Sequence, residues 1–117
     1  MIPFGGETIT LLHAEDGGYR RYILNGCSWR SGRSRTVADN TAETILETTC
    51  RLPSGKVIPR EGDLMIRGEV KAEAKNEIEL VHLMDRLRRE GMSAVRVRRV
   101  RDNAGDAPMP HYAATGA

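Results

Sequence analysis

The stretch 7-ETITLLHAEDGGYRRYILNGCSW-29 decides how the chain is read. Residues 7–13 alternate in polarity and are β-branched at Thr8, Ile9 and Thr10, the pattern of a half-buried strand. Asp16-Gly17 follows where a two-residue hairpin needs positive backbone φ. Beyond that turn Tyr22 and Leu24 share one strand face, with Tyr19 nearby. Asn25-Gly26 predicts a bulge or bend before Cys27 and Trp29. The chain therefore opens with a β-hairpin.

Outward from the hairpin, residues 31–42 (SGRSRTVADNTA) are polar, contain glycine and lack periodicity. They read as a long flexible loop carrying Arg33 and Arg35, and loops of that length are usually functional. Residues 43–53 form a third strand that Pro53 ends, with Thr44, Leu46, Thr48 and Cys50 on one face and Ile45, Glu47, Thr49 and Arg51 on the other. Pro59-Arg60-Glu61-Gly62-Asp63 is a turn leading into a short strand of Leu64, Met65 and Ile66, and Asp63 is expected to cap its own turn.

One helix is predicted, over 76–91. Asn76 is an N-cap and Glu79 completes a capping box. Leu80, Leu83, Met84 and Leu87 make one apolar stripe, and Gly91 is the stop. The run 94-AVRVRRVRDN-103 alternates as a strand. Strict alternation places Val95, Val97 and Arg99 on one face and Arg96, Arg98 and Val100 on the other. His111 and Tyr112 belong to a last strand or an extended contact tail over 108–117. The fold class is mainly β (α+β): a small antiparallel β-barrel or sandwich of about six strands with one covering α-helix, packed on one face or one end of the sheet or over a barrel opening.

With 117 residues the chain has room for one domain, 1–117. One Trp, one Phe and three Tyr leave few large side chains for a core, so stability shared with neighbouring subunits is expected. The net charge of +2 lies well below that of a dedicated DNA-binding domain. Its distribution is uneven, with arginines at 30–35 and 96–101 and acids concentrated between 61 and 90. The opening MIPFGGETIT lacks a basic region and a long apolar core, so no secretory signal is read there. No stretch reaches the apolar length of a membrane span. Cys27 and Cys50 have no metal-binding or redox spacing and read as free thiols.

The search for chemistry finds little. His13, His82 and His111 do not fall in a metal-ligand pattern. Glu79 and His82 are i, i+3 neighbours on a solvent face and read as a solvated pair. The glycine doublets lack the Lys-Ser/Thr of a phosphate loop. No catalytic, cofactor-binding or metal residue is assigned, and the expectation is a protein that is not an enzyme.

The segments GETITLLH, YILNGCSW, PREGDLMIRGE and VRVRRVRDN, with MPHY closing the series, together resemble the small β-barrel proteins of the head–tail connector region of tailed bacteriophages. More narrowly, the chain is similar to the head-closure (stopper, or head–tail joining) proteins. The resemblance implies a homo-oligomeric ring between the portal or adaptor protein and the tail proteins, located in the virion neck after assembly in the bacterial cytoplasm. It implies no catalysis, no cofactor and no membrane. Arg33 and Arg35 would then face packaged DNA or an adjacent subunit, and Arg96, Arg98, His111 and Tyr112 would make subunit contacts. Two other readings stay open: a tail-terminator or tail-completion protein, and a small β-barrel nucleic-acid-binding module.

Overall fold

A computed structural model of the chain describes residues 5–38, 41–103 and 111–117, of which 33–38, 41–46 and 103 are described as backbone alone. The elements in chain order are β1 (Glu7–Glu15), β2 (Gly18–Ala38), β3 (Thr41–Pro53), β4 (Leu64–Arg67), α1 (Glu77–Arg89), β5 (Ala94–Asn103) and β6 (His111–Gly116). The six strands close into an antiparallel barrel in the order β1-β2-β3-β6-β5-β4.

Local chemistry explains the first hairpin. Glu15 pairs with Gly18 around Asp16 (φ 52°) and Gly17 (φ 79°), so both central residues sit in the left-handed region of a primed turn. The bulge at Asn25-Gly26 is present. Glu7 pairs with Cys27 but Ile9 with Leu24, so β2 spends one residue more than β1, and Gly26 supplies φ 71°. The extra residue lets Leu24 and Cys27, three apart, both enter the barrel core.

Two strands turn the corners of the barrel. The first half of β2 pairs with β1 and its second half with β3. Likewise β5 pairs with β4 over residues 94–96 and with β6 from Val97 onward. Each corner strand carries a bulge where it changes partner, the usual device for joining two crossing sheets. In β5 the extra residue is Arg98: Val97 pairs with Gly116 and Arg99 with Thr115. The parity flips there, so Val100 packs against the interior with Val95 and Val97. Strict alternation had placed Val100 outside, and the bulge corrects it.

Two hydrophobic clusters result. Ile9, Leu11, Leu24, Cys27, Cys50, Leu52, Met65, Val95, Val97 and Ala114 fill the barrel. Leu12, Leu64, Ile66 and Ala94 point out of the same wall and meet Leu80, Leu83 and Leu87 of α1. The helix thus covers the outer face of β1, β4 and β5. Of the expected placements, a sheet face, a sheet end or a barrel opening, it takes the face, because those strands are apolar on both sides. Its ends follow the sequence. The Asn76 side chain accepts the Glu79 N–H at 2.9 Å, and the Glu79 carboxylate reaches back to the Lys75 N–H at 3.3 Å. At the other end Gly91 (φ 86°) lets Met92 N–H bond the Leu87 carbonyl at 2.9 Å.

Residues 31–42 do not form the expected loop. β2 runs on through Ala38 and β3 begins at Thr41, with residues 39 and 40 outside the described residues. Pairing continues from Ser31↔Thr48 to Ala38↔Thr41. Polar residues without periodicity can hold a two-stranded ribbon when neither face has to enter a core. Of the two readings of the C-terminal segment, a last strand or an extended tail, the strand is the one found. Residues 108–110 lie outside the described residues, but β6 is an interior strand of its own barrel, bonded to β3 on one side and β5 on the other.

Candidate functional site

The turn before β4 is bonded to both β1 and β5. Gly62 (φ 96°) lets the chain reverse. Asp63, fully buried, accepts Arg60 N–H at 2.9 Å, as its turn-capping role predicts. It also accepts Ala14 N–H at 3.1 Å and His13 Nδ1 at 2.7 Å. A carboxylate only accepts, so Nδ1 carries the proton in this bond. The ring of His13 meets Tyr22 edge-on at 6.2 Å, and the Tyr22 hydroxyl donates to Glu15 at 2.7 Å. That bond, more than the nearby Arg20, holds the Glu15 carboxyl below its ordinary value and lifts the Tyr22 phenol above its own.

An open depression beside His13 is lined by Tyr19, Arg60, Asn76 and Glu77, with no serine or cysteine among its lining residues. The arrangement fixes the β1–β4 junction. Both cysteines are buried and free in the barrel core. Burial pushes the Cys27 thiol to about 11 and the Cys50 thiol to about 12, the latter helped by Cys27. Neither is a thiolate at neutral pH. No group of His, Cys, Asp and Glu able to hold a metal occurs among the described residues.

The residues singled out from sequence are dispersed. Arg33 and Arg35 stand opposite Leu46 and Thr44 on the ribbon that extends past the barrel; their side chains are outside the description. Arg96 is half-buried. Its Nε donates to the Gly62 carbonyl at 2.8 Å and its guanidinium pairs with Glu77 at 3.2 Å, tying turn, strand and helix start together. Tyr112 is buried opposite Leu52, because alternation on β6 points it inward. Arg98, the bulge residue, is exposed. His111 is half-buried on β6 between Pro53 and Asn103.

One grouping is invisible in the sequence. The second sheet, of β2, β3, β6 and β5, has an outer face that α1 does not cover. Register sets Ser28, Arg51, Ala113 and Arg101 in one row across it, and Arg30, Thr49, Thr115 and Arg99 in the next. Thr49 and Thr115 share a hydroxyl bond at 3.2 Å, and Arg99 reaches Glu47 at 3.2 Å, so both rows lie on the solvent side. Four arginines from three strands converge, 71 residues apart in sequence at the extremes (Arg30 to Arg101, 101 − 30). The parity flip at Arg98 brings Arg99 and Arg101 to this side.

Comparison with protein-family models matches residues 4–117 to the family of unknown function DUF6751. The chain belongs to that family. The match spans the barrel, the helix and the ribbon alike. No curated protein and no solved structure gives a match.

Proposed function

We propose that this DUF6751 chain is a structural virion protein of the tailed-phage neck. It forms a homo-oligomeric ring between the portal or adaptor and the tail, closes the DNA-filled head and offers the platform on which the tail docks. Its role is non-catalytic and needs no cofactor, and its place is the virion neck after assembly in the bacterial cytoplasm.

The observation that carries this reading is the ribbon. Pairing of β3 with β6 ends at Thr48↔Gly116, while pairing with β2 continues through the seven pairs from Gly32↔Glu47 to Ala38↔Thr41. At about 3.4 Å per residue this arm extends about 24 Å beyond the end of β6. A two-stranded ribbon is at best marginally stable alone in water and leaves both edges unpaired. An arm of this form gains its partner from a neighbouring subunit, and a head-to-tail contact repeated by rotation closes a ring. The rest of the molecule supports a scaffold role: a closed barrel and buried thiols.

The test uses DNA-filled, tailless heads incubated with the purified protein and imaged by electron microscopy. A new ring of density at the portal vertex is expected, with loss of that ring when 33–46 is replaced by Asn-Gly. Heads left bare at saturating protein overturn the reading. Rings on isolated tail tubes but not on heads replace head closure with tail termination.

A further inference from the structure

We infer that the open outer face of the second sheet, bearing Arg30, Arg51, Arg99 and Arg101, docks onto the phosphate backbone of double-stranded DNA. The inference concerns the charge and shape of one face and does not require the neck assignment.

Charge comes first. Among the described residues of the two rows and their margins, Glu47 is the acid that shares the face, and it is paired to Arg99. Arg30, Arg51, Arg99 and Arg101 are all exposed. Three strand spacings separate Arg30 from Arg99 and two separate Arg51 from Arg101, so the patch is about 14 Å by 7 Å. Duplex DNA carries about eight phosphate charges over that length of axis. Guanidinium forks bind phosphate oxygens through paired N–H donors, and hydroxyls such as those of Ser28, Thr49 and Thr115 add to them.

Shape then chooses the occupant. The centre of the face holds Thr49, Ala113 and Thr115, small side chains that let a rigid polyanion lie close. A protein partner needs apolar or aromatic anchors at the centre of its contact. Among the described side chains, the large exposed apolar residues, Ile58, Ile78, Val81 and Met92, all lie outside this sheet. A single strand needs stacking platforms. Trp29 and Tyr112 belong to this sheet but turn into the barrel, as their burial and register partners Cys50 and Leu52 show. What is left is sequence-independent contact with a duplex backbone.

The test is fluorescence anisotropy of a labelled random-sequence duplex titrated with the full chain between 50 and 200 mM salt. Three to four phosphate contacts predict a log–log slope near −3 and a loss of affinity of about a hundredfold across that range. The Arg30→Gln/Arg51→Gln/Arg99→Gln/Arg101→Gln variant should lose at least tenfold in affinity at 50 mM salt, and its slope should collapse. Its thermal transition, read in parallel, should match the wild type. Lys71→Gln/Lys75→Gln/Arg86→Gln, on the helix side, should bind as the wild type. An unchanged slope in the quadruple variant, the absence of binding at 50 mM salt, or tighter binding of the equivalent single strand overturns the inference. None of these outcomes bears on ring formation at the portal, which is read separately on heads.

Discussion

At the scale of single residues, burial decides which polar groups are structural. Asp63 holds three donors from two segments, the end of β1 and its own turn, and two of them are backbone N–H groups. Asp63→Asn presents an amide N–H₂ to at least one of these donors. It should destabilise the chain by about 3 kcal/mol, whereas His13→Gln, at a ring already 12 % exposed, should cost about 1 kcal/mol. Chemical denaturation of the two variants checks the order, and equal costs would show that the backbone bonds carry little. The thiols make a second case. Their folded values lie above the ordinary 9.0, so the stability they contribute is complete below pH 9 and is lost as pH rises toward 11 and 12. Below pH 9 the shift of Cys27 alone lowers its thiolate fraction about a hundredfold. Native protein at pH 8 should therefore resist alkylation by iodoacetamide at both sites and react at both once unfolded; rapid labelling of the native state would place the thiols outside the core. Glu7 runs the opposite way. The two-pronged Arg67 bond holds its carboxyl below 4.5, so that contribution is present above pH 4.5 and lost as pH falls further.

At the scale of elements, what was legible in the sequence was local. Asp16-Gly17, Asn25-Gly26, Asn76 with Glu79, and Gly91 each act within a few residues, and each appears where the sequence puts it. The strand order β-β-β-β-α-β-β was readable for the same reason. The ribbon was not, because its polar sequence has no core face to impose a period of two; pairing with a partner strand, not its own pattern, makes it a strand. Nor was the arginine face, since its membership depends on register between strands far apart in sequence and on one bulge that reverses the parity of β5. The second role of Asp63, as the partner of His13 across 50 residues, belongs to the same class. The local signals carry measurable energy. Asn76→Ala removes the acceptor for Glu79 N–H and should cost about 1 kcal/mol. Because α1 seals the outer wall through Leu80, Leu83 and Leu87, that loss should appear in the global thermal transition as a drop of about 4 °C, not as fraying of the helix alone.

At the scale of the whole molecule, closure depends on the last strand. β6 supplies the only described link between β3 and β5, through six pairs on one side and six on the other. Its end is bolted to the corner strand by reciprocal bonds between Ala117 and Arg96, at 3.1 and 3.2 Å, where the Arg96 carbonyl leaves no room for a side chain on Gly116. A chain ending at residue 110 leaves β3 and β5 as open edges and exposes Leu52, Val97 and Cys50, so it should lose its cooperative melting transition and its near-ultraviolet dichroism. The ribbon is the contrasting case. Joining Gly32 to Glu47 through Asn-Gly removes 33–46 while keeping every described pair of the closed barrel, and this variant should melt within about 5 °C of the full chain, since the deleted residues lie beyond the end of β6. The two deletions differ in what they interrupt: fourteen residues outside the closed ring of strands against seven described residues, 111–117, that complete it. If the shorter C-terminal deletion melted cooperatively while loss of the ribbon unfolded the protein, the barrel would not be the unit of stability, and the arm would have to be counted as part of the core and not as a surface built for a neighbour.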